Sequence, residues 1–82
     1  MSVSERAHVA LVKDQPCVVC EHPPPSEAHE QTQGNWFTSI PLCADCHRGS
    51  FNGIHGQRNM WRIKKMTEDD ALNEALRRMF YA

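Results

Sequence analysis

The sequence has little with which to build an apolar core: three Phe, two Trp and one Tyr in 82 residues. A chain of that size makes one small domain, and burial alone leaves it marginally stable. No apolar run approaches the roughly 18 residues of a membrane span, so a soluble chain is expected. The opening Met1-Ser2-Val3-Ser4-Glu5-Arg6 lacks the basic start, apolar stretch and small-residue cleavage site of a signal peptide, which points to a reducing cytoplasm. There is no internal repeat beyond two cysteine motifs, and the one low-complexity tract is Pro23-Pro24-Pro25. Acid is missing from one stretch, residues 47–66, which carries Arg48, Arg58, Arg62, Lys64 and Lys65 and no Asp or Glu. Residues 1–46 are the reverse, with Arg6 and Lys13 against six acids. The net charge of −1 therefore hides a basic segment that is either a phosphate-contacting surface or a solvated helix face.

Cysteine is absent outside Cys17-Val18-Val19-Cys20 and Cys43-Ala44-Asp45-Cys46, which use all four cysteines and leave 22 residues between the pairs. Thiolates at i and i+3 on a tight turn can face one ion, and two such turns complete the four-sulfur tetrahedron that Zn²⁺ prefers. The other reading, two disulfides, suits a secreted chain better than a cytoplasmic one. A structural zinc would also supply the staple that a core this small needs.

Local signals predict a short first helix over 4–13, capped by Ser4 and stopped before Gln15-Pro16. The first cysteine turn follows, then an extended proline connection. Two short strands are expected around Ala28 and around Phe37-Thr38-Ser39-Ile40, with the turn at Gln33-Gly34-Asn35. Pro41-Leu42-Cys43 leads into a helix from Ala44 that Gly49 and Asn52-Gly53 limit. Residues 57–66 alternate Met60, Trp61, Ile63 and Met66 with bases, as a half-buried helix would. Thr67 and Asp70 form a capping box for a helix over 68–80, whose Ala71, Leu72, Ala75, Leu76, Met79 and Phe80 recur at helical spacing. The expected architecture is a small α+β, zinc-stapled, treble-clef-like domain with flanking N- and C-terminal helices.

Candidate chemistry lies in the histidines. His47 follows Cys46 on the expected helix, so its side chain turns about 100° away from the cysteine and off the metal. His29 lies on the first strand, facing that helix, while His8 and His22 fall outside the pattern. Such a pair can place a general base beside a divalent ion and a phosphate.

Cys17-x-x-Cys20, Ala28-His29 and Leu42-Cys43-x-x-Cys46-His47 together resemble the zinc-containing HNH endonucleases, whose catalytic unit is the ββα-metal fold, and the small phage and prophage versions in particular. The resemblance covers roughly residues 9–58, with Leu-Cys-x-x-Cys-His-Arg-Gly its most specific string. It implies a metal-dependent DNA endonuclease in a bacterial host cell. His29 would be the general base, His47 a ligand of a catalytic Mg²⁺ or other divalent ion, and the four cysteines the holders of a separate structural zinc. Ala28 stands where many members carry a second metal ligand. His55, between Gly53 and Gly56 on a flexible turn, is the expected substitute; Glu27 shares the face of His29, and Glu30 would serve only if the strand bulges. In a shifted register Glu30 would itself stand at the base position. The family's base-orienting asparagine would be Asn35, although Thr38 is nearer the usual position and Asn35 equally suits the turn. Arg48, Arg58, Arg62, Lys64 and Lys65 would contact the DNA backbone, and cutting both strands would take a homodimer or two visits. The alternative function is a non-catalytic zinc-stapled nucleic-acid-binding module.

Overall fold

Ser2 and Glu5 satisfy each other's backbone donors at the start of the chain. Ser2 Oγ accepts from Glu5 N–H at 3.1 Å and Glu5 Oε1 accepts from Ser2 N–H at 2.7 Å. The expected cap, Ser4, lies instead inside the first turn of α1 (Val3–Lys13). The reason is spacing: Ser2 has a glutamate three residues on, whereas Ser4 has Ala7. The helix ends at Asp14, before Gln15-Pro16 as expected, and buries His8, Val9 and Val12.

In the computed structural model, which describes residues 1–81, β1 (Glu27–Glu30) and β2 (Ser39–Leu42) form an antiparallel ribbon that pairs His29 with Ile40 and Ala28 with Pro41. Gly34, at φ +85°, supplies the left-handed residue of the connecting loop. The second strand starts later than the sequence suggests. Asn35 caps a 3₁₀ turn over Trp36–Thr38, accepting from Phe37 N–H at 3.2 Å, and this removes Phe37 and Thr38 from the ladder. The strand then extends through Pro41, which has no N–H to give. A two-stranded ribbon tolerates that, and the Pro41 carbonyl accepts from Val18 N–H at 3.0 Å, tying the first cysteine turn to the sheet.

Cys43 caps α2 (Ala44–Arg48), its sulfur accepting from Cys46 N–H at 3.4 Å. The loop after α2 is closed by short-range backbone bonds, among them Ile54 N–H to Cys46 O at 2.9 Å and Gln57 N–H to Ser50 O at 3.0 Å. Gly56 is needed for this close approach, since a Cβ there would meet Ser50 O at 2.5 Å. The turn carrying His55 is thus bonded into place, where the sequence suggested a flexible one.

The next helix, α3 (Asn59–Ile63), is half the expected span. Arg58 enters it in the left-handed region at φ 56° and Lys65 leaves it at φ 54°. Met66 N–H bonds Trp61 O and Lys65 N–H bonds Arg62 O, each at 3.0 Å, which is a Schellman stop without the usual glycine. The predicted capping box opens α4 (Glu68–Tyr81): Asp70 N–H bonds Thr67 Oγ1 at 3.1 Å and Thr67 N–H bonds Asp70 Oδ2 at 3.0 Å. Ala71 and Ala75 are buried, Leu72 packs at the edge of the core, and Phe80, expected inside, is exposed. No helix among the described residues is long and apolar enough to cross a membrane.

The described residues form a small α+β domain of one ribbon, four α-helices and the 3₁₀ turn. Its core gathers Val18, Val19, Ile40, Leu42, Ile54, Trp61 and Ala71 around the cysteines. Trp61 is 2% exposed and its indole N–H donates to Cys46 O at 3.1 Å. Trp61→Ala should therefore cost about 3–5 kcal/mol, and Trp61→Phe distinctly less, mainly one hydrogen bond of about 1 kcal/mol. Urea denaturation of the metal-loaded chain measures both, and an alanine variant with the wild-type midpoint would contradict this account of the core.

Candidate functional site

Both cysteine turns project into the core, and the four sulfurs lie within 4.8 Å of one another. None is in a disulfide, and Cys20 and Cys43 Sγ stand 3.6 Å apart. That is far beyond an S–S bond and close to the roughly 3.8 Å edge of a tetrahedron with 2.3 Å metal–sulfur bonds. The chemistry of the donors fits a cation as well as the distances do. Burial opposes ionisation of Cys17, but the backbone N–H groups of Cys43, Cys20 and Val19 outweigh it and hold the thiol below its ordinary range. Burial raises Cys20 to about 11 despite a backbone donor at His22, and burial with the Cys17 charge pushes Cys46 higher still. Ionisation is favoured at Cys17 and opposed at Cys20 and Cys46, an opposition that a bound cation such as zinc would relieve. The side chain of His22 is exposed and bonds Pro23 O at 3.0 Å, not a sulfur.

A second cluster forms on the other side of α2. His29 on β1, His47 on α2 and His55 in the bonded loop bring one ring nitrogen each within 4.8 Å of the others. Their ring centroids are 5.1, 5.2 and 5.5 Å apart. They line an open cleft of about 280 Å³ together with Ala28, Glu30 and Gln33. His29 is buried, His47 half-buried and His55 exposed, so the cluster is closed behind and open in front. Converging imidazoles suit a divalent transition ion.

Two carboxylates hold the rings from behind. Glu27 Oε1 lies 2.8 Å from His47 Nδ1, and the same carboxylate takes the Arg48 guanidinium at 2.6–3.2 Å. The Arg48 bonds first, and His47 second, lower the Glu27 pKa to about 2. Glu27 is then an acceptor only, so His47 Nδ1 is the donor of this contact, and in the neutral ring Nε2 is the nitrogen with the lone pair. On the other ring, His29 Nε2 lies 2.8 Å from Glu68 Oε1.

The remaining sequence candidates are distributed unevenly. Glu27 shares the His29 face as expected, while the Glu30 carboxylate accepts from Gly34 N–H at 2.5 Å. Asn35 is not among the residues lining the cleft, its side chain being committed to the 3₁₀ cap. The basic residues do not form one wall. Arg48 is paired with Glu27, and Arg58 Nε donates to Ile54 O at 2.8 Å. Arg58 and Arg62 share a neighbouring cleft of about 520 Å³ with Trp61, Gln31, Glu68 and Asp69, and Lys64 and Lys65 are exposed outside it. The residue missed by sequence reasoning is Glu68. An acid in the first turn of a capped helix is already accounted for by the helix dipole, so nothing in the pattern singled it out.

Comparisons with protein-family models, with curated proteins and with solved structures found no match. The functional reading therefore stands on the chain's own residues.

Metal binding by the sulfur cluster should displace protons, at least those of Cys20 and Cys46, so about two or more should be released per ion near neutral pH, and affinity should fall as the pH is lowered. Calorimetric zinc titration in buffers of different ionisation enthalpy measures this, and buffer-independent heats would refute it. Cys43→Ser or chelation should unfold at least the half around the cysteines, seen as loss of Trp61 protection. The Glu27 contribution should be complete above the ordinary carboxylate range and decline as the pH falls toward 2. Glu27→Gln should weaken divalent binding at the histidine cluster by about 10–100-fold while leaving the cysteine site loaded; unchanged binding would mean that His47 needs no support.

Proposed function

We propose that the chain is a metal-dependent DNA endonuclease of the HNH kind, with a treble-clef-like ββα-metal core in which Cys17, Cys20, Cys43 and Cys46 hold a structural zinc. The observation that carries the reading is the convergence of His29, His47 and His55, from a strand, a helix and a loop, into one open cleft separate from the sulfur cluster.

His29 is the general base. With Glu68 accepting at Nε2, its Nδ1 is the nitrogen left to take a proton from water. The water oxygen bonds to phosphorus, the proton passes to His29, and the bond from phosphorus to the 3′ oxygen breaks. The products are a 5′ phosphate and a 3′ hydroxyl that takes its proton from solvent. His47 and His55 would hold a divalent ion, which would supply Lewis-acid stabilisation of the charge on the scissile phosphate and leaving oxygen. Mg²⁺ is one candidate, and imidazole donors favour Ni²⁺ over it. Ala28 offers no ligand, and the position of His55 supports it as the replacement.

Arg62, Lys64 and Lys65 make no ion pair among the described residues and are exposed. Together with the free part of Arg58, and with Arg48 once released from Glu27, they are the proposed backbone contacts. Binding through them should weaken steeply with salt and carry no sequence information. A single cleft nicks one strand, and a duplex cut needs a homodimer or a second visit.

Zinc-loaded protein should relax supercoiled plasmid with Mn²⁺, Ni²⁺ or Mg²⁺ and not with EDTA. His29→Ala should lower the rate by about 10²–10⁴-fold, and His47→Ala should abolish the ion-dependent cleavage, both without loss of zinc. Salt-dependent DNA retardation with no cleavage under any ion would replace the enzyme with a zinc-stapled binding module.

A further inference from the structure

We infer that Glu68 is a positioning residue for His29: it accepts a hydrogen bond from Nε2–H and thereby presents the Nδ1 lone pair to the cleft. The catalytic consequence rests on the nuclease reading, whereas the hydrogen bond and the tautomer do not.

The contact joins residues 39 apart in sequence at 2.8 Å, between a His29 side chain 10% exposed and a Glu68 side chain 30% exposed. A neutral imidazole has one donor and one acceptor nitrogen, and a carboxylate beside one of them fixes which is which. With water largely excluded, an unsatisfied Nε2–H on His29 would be costly, so the partner selects the tautomer strongly.

The three acids that open α4 have separate partners. Asp70 closes the capping box with Thr67, Asp69 accepts from the Gln31 amide, and Glu68 takes His29. The helix dipole would be served by any of them, but only Glu68 reaches the cleft histidine. Gln31 follows His29 by two residues on the same segment, so Asp69 and Glu68 make adjacent but separate contacts from the start of α4 to that segment. Glu68 is not one of the three converging donors of the cleft, which are all histidines. It acts from behind His29.

Glu27 does the converse for His47, bonding Nδ1 and leaving Nε2 free. The two supported rings therefore present opposite nitrogens to one cleft. His55 has no side-chain partner among the described residues.

The test compares wild type, Glu68→Ala, Glu68→Gln and Asp69→Ala, all zinc-loaded. Long-range ¹H–¹⁵N spectra at about pH 8, above the ordinary histidine range, read the His29 tautomer without any need for cleavage. Wild type should show a protonated Nε2 and a bare Nδ1, Glu68→Ala a mixture, and Glu68→Gln, whose side-chain oxygen still accepts, the wild-type pattern. In plasmid nicking, Glu68→Ala should lower kcat by about 10–100-fold with KM within about twofold, and Glu68→Gln should restore most of it. Asp69→Ala, which removes only the neighbouring contact, should keep both the tautomer and kcat.

A protonated Nδ1 on His29 in the wild type overturns the inference, and does so even if Glu68→Ala fails to fold. So does an Asp69→Ala loss equal to that of Glu68→Ala, since Glu68 would then only be securing the helix. A wild type that cuts no DNA with any ion but shows the Nε2–H tautomer sinks the nuclease reading and leaves the positioning contact standing.

Discussion

Four sulfurs drawn to one point inside the core set the position of nearly everything else. In a larger protein such a cluster could sit at the rim of an apolar interior; here Cys17 and Cys46 are among the most completely buried side chains. Backbone groups of the cysteine turns serve as hooks for the rest of the chain. Cys46 O receives both the Trp61 indole and the Ile54 amide, and Val18 N–H reaches across to β2. A cation at the sulfurs would thus be bonded to the same short segments that carry the ribbon, the His55 loop and α3. The small aromatic content is adequate because the one fully buried tryptophan packs against this centre.

The same constraint aims the second cluster. Once Cys46 points into the core, His47, one residue on, must point elsewhere, and the helical rotation turns it toward β1. His29 meets it because β1 packs against α2. Two sets of donors on either side of a five-residue helix are therefore held apart by geometry that the cysteine spacing imposes.

Much of this was legible in the sequence, and the parts that were not share a physical reason. The cysteine turns and the Thr67–Asp70 box depend on residues close in sequence or on strict spacing, and the histidine convergence follows from where those turns place the strand and the helix. The cap of the first helix lies two residues before the expected Ser4 because Ser2 and Ser4 are both good cap residues, and the glutamate three residues on decides between them. Residues 57–66 have a helical pattern, yet the bonds that close the His55 loop take its first residues and a left-handed Lys65 ends it. Asn35 fits a family position and a capping position equally well by type; only the neighbouring amide of Phe37 tells them apart. Glu68 could not be read at all, because its role exists only when a helix packs against a strand 39 residues away. The sum of charges along 47–66 was correct, but it could not reveal that Arg48 is neutralised by Glu27 from the acidic half of the chain.

Glu27 is shared. One carboxylate supports a cleft histidine and restrains the nearest surface guanidinium. An anion that drew Arg48 away would leave Glu27 to His47 alone, so events on the outer face and in the cleft are thermodynamically linked. By reciprocity, whatever tightened His47 against its carboxylate would loosen the grip on Arg48 and free it for an anion. The ion pair that looks like a loss of basic surface is thus a point of exchange, through which occupancy at the rim and order at the centre can raise one another.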